Sequence, residues 1–261
     1  MKSKVVTFIL VLFNILSFSQ EKVDISISYK LTYKIDSTSE KVNKENFILF
    51  ANKEKSMYES IAKYFKDSLS KQPNQDQAAI AIKYGTENDY YIIYNSKDKV
   101  LSHFQPNLGA NIYYSTNYKI QWKIEQETKE ILNLKCRKAT AKMFGRKWIA
   151  WFTEEYPLPF GPYKFNGLPG LILELYDSKN YYHFNAYYIK KEKNTLVNFN
   201  IQNDYSKTTK EKFWELVFKN KFDVDYKYRD FTFQDPNVIQ TMRKKMIEKQ
   251  KIYNNPIELI H

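Results

Sequence analysis

The sequence predicts one mainly β domain of the α+β type, built on a curved antiparallel sheet or open half-barrel with a few packed helices. Residues 24–35 alternate strictly between apolar and polar side chains, which is typical of a strand with one face on a core and one in water. Shorter runs of the same kind recur with brief turns between them, and such turns favour antiparallel pairing. A two-sheet β-sandwich is the structural alternative.

The remaining elements follow from the same periodicities. Thr208 and Glu211 form a capping box ahead of one predicted helix, and Asp235-Pro236 opens another that reaches about Tyr253. Apolar residues at helical spacing predict a further helix over 60–70. Further single strands are predicted over 47–51, 90–94, 100–104, 111–115, 118–124 and 197–201. Two hairpins are predicted as well, one over 135–152 that turns near Gly145 and one formed by 171–175 and 181–189.

The N-terminus has the layout of a cleavable secretory signal. Lys2 and Lys4 precede an apolar stretch over 5–16, and Ser17 and Ser19 occupy the small-residue positions before a cut ahead of Gln20. The apolar stretch is shorter than the ~20 residues of a spanning helix, although an uncleaved anchor is the alternative. We therefore expect a signal peptide over 1–19, a single domain over 20–261 without a transmembrane segment, and a location in the periplasm, the cell envelope or outside the cell.

Charge and cysteine content restrict the partners only weakly. The formal charge is +12, and it falls to +10 once the leader is removed. Most of it is lysine dispersed along the chain, which indicates a solvated surface, although the excess also suits anionic partners. Cys136 is the only cysteine, so no internal disulfide can form, and we interpret it as a small buried group in a strand.

The residues identify no reaction, metal or cofactor. His103, His183 and His261 share no metal-ligand spacing with one another or with other ligands, and no nucleotide-binding or serine-nucleophile motif occurs. The carboxylates Glu154-Glu155 and Glu174/Asp177 could serve acid–base chemistry, although adjacent acids after a strand, such as Glu154-Glu155, usually indicate surface charge. The C-terminal helix is basic, yet export argues against nucleic acid.

One segment, residues 134–177, stands out. Four of the six glycines and four of the eight prolines fall within it. Because glycine permits positive φ and proline removes a hydrogen-bond donor, residues 156–170 should form a shaped loop that leads into a strand at Leu171. The segment contains almost no titratable group of the kind that chemistry needs.

This segment resembles the signature of the GLPGLI family, which is named for the motif seen here as residues 167–172. The flanking residues Cys136, Gly145-Arg146, Trp148 and Phe165 fit the same pattern, as does the ending over 255–259. The resemblance implies an exported protein of Bacteroidetes bacteria, of a family without an assigned biochemistry. It covers most of the mature chain, except residues 71–109.

The loop has two interpretations. It is a folding element that packs on the sheet, or it is the lip of a ligand pocket beside two tryptophans on opposite sides of the preceding strand. A Pro169-Gly170 step suits a type II turn with positive φ at Gly170, whereas Gly167 would serve close packing. The residues of this ligand-binding hypothesis are Trp148, Trp151, Gly161, Pro162, Gly167, Leu168, Pro169 and Gly170.

Two functions remain open. The first is a non-enzymatic exported envelope protein whose curved sheet shelters an apolar ligand, such as a lipid or a peptide, and whose partner is lipid or another envelope component. The second is a periplasmic hydrolase with an unrecognised site. Of these, we favour the first, because no group of residues supplies the convergent acid and base that the second requires.

Overall fold

The computed structural model describes residues 20–233 and 235–259, so the predicted signal peptide lies outside the described chain. Strands dominate this part of the molecule, as predicted. The strands are β1 (Glu21–Lys22), β2 (Ile25–Tyr33), β3 (Asn43–Ala51), β4 (Lys55–Ser60), β5 (Tyr91–Asn95), β6 (Val100–Gln105), β7 (Ile112–Thr116), β8 (Lys123–Ile131), β9 (Leu134–Met143), β10 (Arg146–Thr153), β11 (Leu171–Asp177), β12 (Tyr182–Lys191), β13 (Leu196–Val197) and β14 (Ser206–Lys207).

Twelve of these strands form one open sheet in the order β14-β7-β6-β5-β4-β3-β2-β12-β11-β10-β9-β8. Every neighbouring pair is antiparallel except β14 and β7, which run parallel. The first and second halves of the chain meet where β2 pairs with β12. Only β1 and β13 stand apart, as a two-stranded ribbon, so the single-sheet prediction is confirmed over the two-sheet sandwich.

Five helices accompany the sheet within the described residues. Ser60, Asp76, Thr209, Asp223 and Asp235 act as their N-caps, each accepting a hydrogen bond from a backbone N–H of the first turn. The helices are α1 (Ile61–Ser70), α2 (Gln77–Lys83), α3 (Lys210–Phe222), α4 (Val224–Lys227) and α5 (Pro236–Ile252). No helix among the described residues is long and apolar enough to cross a membrane.

The strand predicted over 118–124 is wrong for most of its length, because β8 begins only at Lys123. Tyr118 donates a hydrogen bond from its hydroxyl to the carbonyl of Lys164 at 2.6 Å, and the indole of Trp122 donates to the carbonyl of Asn166 at 2.9 Å. These aromatic residues alternate with polar ones because they cover the Gly/Pro-rich loop. Their regular spacing therefore reflects contacts with a loop and not pairing in a sheet.

Two smaller predictions also differ from the structure, and a short helix was not predicted. The last predicted strand shortens to Leu196–Val197 and is followed by a 3-10 turn at Gln202–Asp204. Helix α3 is capped by Thr209 instead of Thr208. Helix α2 was not predicted, since its seven residues are too short to show a clear helical period.

The main core lies between the sheet and the Gly/Pro-rich loop, residues 156–170. Phe160, Phe165 and Leu168 of the loop are buried in it. The loop backbone is tied to the sheet, because the amide of Ile172 donates to the carbonyl of Phe160 at 2.9 Å. The hydroxyl of Tyr29 on β2 in turn donates to the carbonyl of Ile172 at 2.6 Å. The loop is therefore an inner layer of the fold.

Candidate functional site

A cavity of about 300 Å³ lies between the sheet, the Gly/Pro-rich loop and the C-terminal helices. Its wall combines aromatic rings with amide and charged side chains. The lining residues are Thr86, Glu87, Asn88, Asp89, Tyr90, His103, Gln105, Pro106, Asn107, Leu108, Tyr163, Trp214, Val217, Asn220, Lys221, Lys227, Lys249, Tyr253 and Ile257. We call it the His103 cavity.

His103 of β6 is the most unusual residue in this wall. Its side chain is buried, with 2% exposure, and neither ring nitrogen has a hydrogen-bond partner among the described residues. Burial, reinforced by the charge of Lys164, holds the pKa of His103 well below its usual range. The imidazole is therefore neutral, with one donor and one acceptor that the described protein leaves unused. Leaving such groups unpaired costs about 1–3 kcal/mol each, which a bound ligand could offset.

Aromatic rings surround the imidazole. The centroid distances are 4.7 Å to Phe213, 5.1 Å to Tyr90, 5.7 Å to Trp214, 5.8 Å to Tyr114 and 6.4 Å to Tyr163. All five contacts are edge-on or tilted, which is the favourable geometry for aromatic pairs. The site is therefore an aromatic enclosure around one neutral polar ring.

A buried ion pair lies beneath this enclosure. The Lys164 ammonium donates to the carboxylate of Glu258 and, at 2.8 Å, to the hydroxyl of Tyr114. It also lies 5.0 Å from the ring centroids of Tyr163 and Trp214, where the π faces attract a cation. Burial lowers the pKa of Lys164 to about 8, although the charge of Glu258 opposes this shift. The lysine thus stays largely protonated at neutral pH.

Tyr163 connects the loop to the cavity. Its φ is +56°, a left-handed conformation that costs a non-glycine residue roughly 1–3 kcal/mol. This conformation accompanies a ring that lines the cavity and a hydroxyl that donates to the carboxylate of Glu258. Strain of this kind persists only where the surrounding contacts fix it, and here Glu258 supplies such a contact.

Arg146 holds the C-terminal segment, residues 254–259, in place. Its guanidinium donates to the side-chain oxygen of Asn255 at 2.6 Å, to the carbonyl of Pro256 at 2.6 Å and to the carbonyl of Ile257 at 3.1 Å. A buried ion pair with Asp177 at 3.2 Å compensates the charge of Arg146. Arg146 therefore determines where Glu258 lies, and through Glu258 where Lys164 and Tyr163 lie.

Charged residues form the rim of the cavity. The ammonium of Lys221 lies 3.9 Å from the Glu87 carboxylate and 4.0 Å from the ring centroid of Tyr253, and Lys249 donates to the same carboxylate. Burial alone would raise the pKa of Glu87, but the hydrogen bond and charge of Lys249, with Lys221, hold it below its usual value. Burial also lowers the pKa of Lys221 to about 8, against the effect of Glu87.

The residues of the ligand-binding hypothesis are placed mostly inside the core. The indole of Trp148 packs against Phe165 at 4.5 Å and donates to the carbonyl of Met143 at 2.9 Å. The ammonium of Lys129 lies over the indole of Trp151, 4.4 Å from the ring centroid. Gly161, Pro162, Leu168 and Gly170 are buried, whereas Gly167 and Pro169 are exposed, and none of the eight lines the His103 cavity.

The two glycines of the motif exchange their expected roles. Gly167 has φ +88° with open space around it, so it supplies the positive φ that was expected at Gly170. At Gly170 a Cβ would lie 2.0 Å from the carbonyl oxygen of Thr153, so this glycine serves close packing. The difference arises because the turn forms before Leu168, and Gly170 already lies against the end of β10.

The carboxylates considered from the sequence have structural partners. Glu154 pairs with Arg137 at 2.9 Å, Glu155 accepts from the amide of Lys135 at 3.0 Å, and Asp177 pairs with Arg146. Glu174 accepts from the imidazole of His183 at 2.8 Å and from Lys129. Burial raises the pKa of Cys136 to about 11, which fits the interpretation of this residue as a structural thiol.

Sequence reasoning missed the cavity residues. It discounted the loop as poor in titratable groups, yet Lys164 lies within the loop and is 1% exposed. A lysine among Gly, Pro and aromatic residues is the signal that could have been used, because such surroundings exclude water. Glu258 gave no such signal, because nothing in a terminal Pro-Ile-Glu sequence predicts burial.

Fold and site together define an open-sheet α+β domain with a cavity enclosed by its loop and C-terminal helices. The family described as "N-glycanase peptide, N-terminal domain" matches residues 27–219, and the chain belongs to this family. The match ends within α3, so α4, α5 and the C-terminal segment that completes the cavity lie beyond it. No curated protein sequence matches the chain.

Solved structures of PNGF-II in a P21 and in a C2 crystal form resemble the chain, with TM-scores of 0.55 and 0.54. Both are 18% identical to it, and the matches cover 77% and 78% of this chain. They cover 34% of each PNGF-II chain, so the present chain spans about a third of the length of these relatives. A likeness at this identity shows the shared fold alone.

Proposed function

We propose that the chain is an exported, non-catalytic domain that binds a saccharide in the His103 cavity. The observation that carries the proposal is one small cavity that combines aromatic walls with a buried imidazole, whose two nitrogens have no hydrogen-bond partner in the part of the chain that the structure describes. A sugar ring presents apolar C–H faces, which pack on aromatic rings, and hydroxyls, which both donate and accept hydrogen bonds. The cavity offers surfaces for both.

The polar part of the wall favours a hydroxylated ligand over a wholly apolar one. Asn88, Asn107 and Gln105 line the cavity, and their side-chain amides already donate to Glu45, to the Asp89 carboxylate at 3.2 Å and to the Asp89 carbonyl at 2.7 Å. The amide oxygens can still accept hydrogen bonds, which a sugar hydroxyl can donate and a lipid chain cannot. The expectation of an apolar ligand is therefore narrowed to a ligand with apolar faces and polar edges.

The family description supports the same ligand class. It names an N-glycanase, and glycans linked to asparagine begin with a pair of N-acetylglucosamine units. The corresponding disaccharide, N,N′-diacetylchitobiose, is small enough to be a reasonable first probe for a cavity of about 300 Å³. The whole-protein activity of PNGF-II is not carried over, since the shared part is a third of that chain.

The charges in the cavity favour binding over hydrolysis. Glycoside hydrolysis requires a carboxylic acid that keeps its proton near neutral pH. Burial would raise the pKa of Asp89, but the ammonium groups of Lys63 and Lys66 outweigh it and lower the pKa. The pKa of Glu87 is lowered as well, so both carboxylates that line the cavity are ionised. The hydrolase alternative would need its proton donor elsewhere.

Export and GLPGLI membership complete the proposal. Both are inferred from the sequence, export from residues 1–19 and family membership from the motif over 167–172, and they support a location in the periplasm, in the cell envelope or outside the cell. N-terminal sequencing of protein recovered from envelope fractions should give Gln20 as the first residue. Stable protein that retains Met1 would contradict export by cleavage.

The binding test is calorimetry on residues 20–261 with N,N′-diacetylchitobiose and, separately, decanoate. We expect the disaccharide to bind to the wild type. His103→Phe should weaken this binding about tenfold or more, because the phenyl ring keeps the aromatic packing but cannot form the hydrogen bonds of the imidazole. His183→Phe, which removes a histidine outside the cavity, is the matched control. Undiminished affinity in His103→Phe, or binding of decanoate alone, would contradict the proposal.

A further inference from the structure

A second groove lies at the tip of the β9–β10 hairpin, and its lining residues are all different from those of the His103 cavity. Its volume is about 640 Å³, and Tyr118, Lys142, Phe144, Lys147 and Lys210 are among its lining residues. No aspartate or glutamate lines it. We call it the cationic groove.

The lysines of the cationic groove are not neutralised by the protein. Within residues 20–233 and 235–259, none of Lys142, Lys147 and Lys210 has an ion pair with a carboxylate. Arg146 also lines the groove, but its charge is compensated by Asp177. Three positive charges without an ion-pair partner among the described residues therefore surround one concave surface, on a chain whose formal charge is +12.

The arrangement of two of these lysines is unfavourable for the hairpin itself. Lys142 and Lys147 lie directly opposite each other in the β9–β10 pairing. Like charges at such positions destabilise a sheet, by an amount comparable to the roughly 0.2–1 kcal/mol that opposite charges contribute. An anion bound between the two side chains would convert this repulsion into attraction for both.

The groove is also held in a fixed shape. Phe144 and Gly145, the two turn residues, have φ of +55° and +75°, as a tight two-residue hairpin turn requires. Arg146 beside the turn is fixed by its bonds to Asn255, Pro256 and Ile257. The half-buried ring of Tyr118 adds apolar surface to this frame, while Phe144 beneath it is 9% exposed and belongs to the core. An occupant with both anionic groups and an apolar face therefore fits the groove.

We propose that the cationic groove binds an anionic saccharide, one that carries carboxylate or sulfate groups. The charge and shape of the groove indicate an anionic ligand. That this anion is a saccharide and not another polyanion rests on the proposed function of the His103 cavity. Charged sugars meet both requirements, because their oxyanions suit the three lysines and their ring faces suit the aromatic side chains.

The test compares two double variants with equal changes in net charge. Lys142→Glu/Lys147→Glu reverses the sign of two charges in the groove. It keeps a like-charged pair across the two strands, so the fold should tolerate the change. Lys244→Glu/Lys245→Glu is the control, because both lysines are exposed on α5 outside the groove. The probes are a heparin tetrasaccharide, tetragalacturonate, neutral N,N′-diacetylchitobiose and phosphatidylglycerol vesicles, with melting curves for every variant.

We expect the wild type to bind at least one anionic tetrasaccharide, the groove variant to lose about tenfold or more, and the control to stay within about twofold. The two tetrasaccharides separate sulfate from carboxylate recognition. Equal loss in both variants, or binding of the vesicles without either tetrasaccharide, would overturn the proposal. Chitobiose binding should be unaffected by the groove variant, so failure of the cavity proposal and of this one can be told apart.

Discussion

Lys164 and Glu258 form a completely buried ion pair across 94 residues of sequence, with side-chain exposures of 1% and 0%. The lysine comes from the Gly/Pro-rich loop and the glutamate from the C-terminal segment. The pair therefore joins two parts of the chain that together line the His103 cavity, through Tyr163 on one side and Ile257 on the other.

Breaking this pair from one side should be costly. Glu258→Gln leaves a buried ammonium without its counter-charge, and we expect a loss of about 3–5 kcal/mol in the free energy of unfolding. Lys164→Met/Glu258→Gln removes both charges and should recover most of the loss. Urea unfolding measures the free energy of unfolding of both variants. The control is the exposed pair Lys212–Glu215, where Glu215→Gln and Lys212→Met/Glu215→Gln should change this free energy by less than about 1 kcal/mol. A double variant as unstable as Glu258→Gln would contradict a role for charge compensation.

His103→Phe should be more stable than the wild type in the absence of ligand. The substitution keeps an aromatic ring in the enclosure and removes two polar atoms that have no hydrogen-bond partner within residues 20–233 and 235–259. We expect a gain of up to about 1–3 kcal/mol, the usual cost of an unsatisfied buried group. His103→Ala, which leaves a void instead, should be less stable than the wild type. Equal destabilisation of both variants in guanidinium unfolding would indicate that the imidazole is needed for packing.

Glu59, at the end of β4, should make the protein less stable as the pH rises. Its side chain is 4% exposed, and burial raises its pKa from 4.5 to about 8, while the ammonium of Lys63 opposes the shift. Between these two values the unfolded chain has lost the proton and the folded protein keeps it. The folded state then binds more protons, so the free energy of unfolding falls with rising pH across this window and levels off above about pH 8.

Glu59→Gln should remove most of this pH dependence, because the amide resembles the protonated acid and does not ionise. The expected result is a melting temperature that exceeds the wild-type value at pH 8 and approaches it at pH 4.5. Glu54→Gln, at an exposed position, is the control. If the melting temperature of Glu59→Gln fell with rising pH as steeply as that of the wild type, another group would be responsible for the pH dependence.

The two motif glycines should respond differently to substitution. Gly170→Ala places a Cβ against the backbone of Thr153, so the loop or strand must shift, and we expect a loss of about 1–3 kcal/mol. Gly167→Asn should lie close to the wild type, because asparagine tolerates positive φ and the site is open. Thermal melting distinguishes the two variants. A larger loss of stability in Gly167→Asn than in Gly170→Ala would contradict these roles of the two glycines.

Local patterns determined most of the secondary structure in advance. The alternation over 24–35 gave β2, the helical spacing after Ser60 gave α1, and Asp235-Pro236 gave the start of α5. These features depend on neighbours in sequence, such as a cap, a period of two or a fixed proline φ, so the residues alone are sufficient. Where alternation served the loop instead of a sheet, at Tyr118 and Trp122, the same reasoning failed.

The cavity depended on contacts that sequence patterns do not encode. His103, Lys164 and Glu258 are ordinary residues of a strand, a loop and a tail, and each acquires its character only from burial beside the others. Arg146 brings the tail to the loop over more than 100 residues, and no local preference specifies such a pairing. The sequence by itself thus determined a mainly β chain with an exceptional loop, whereas the tertiary structure decided which side chains lose water and face a common space, because desolvation depends on the whole fold.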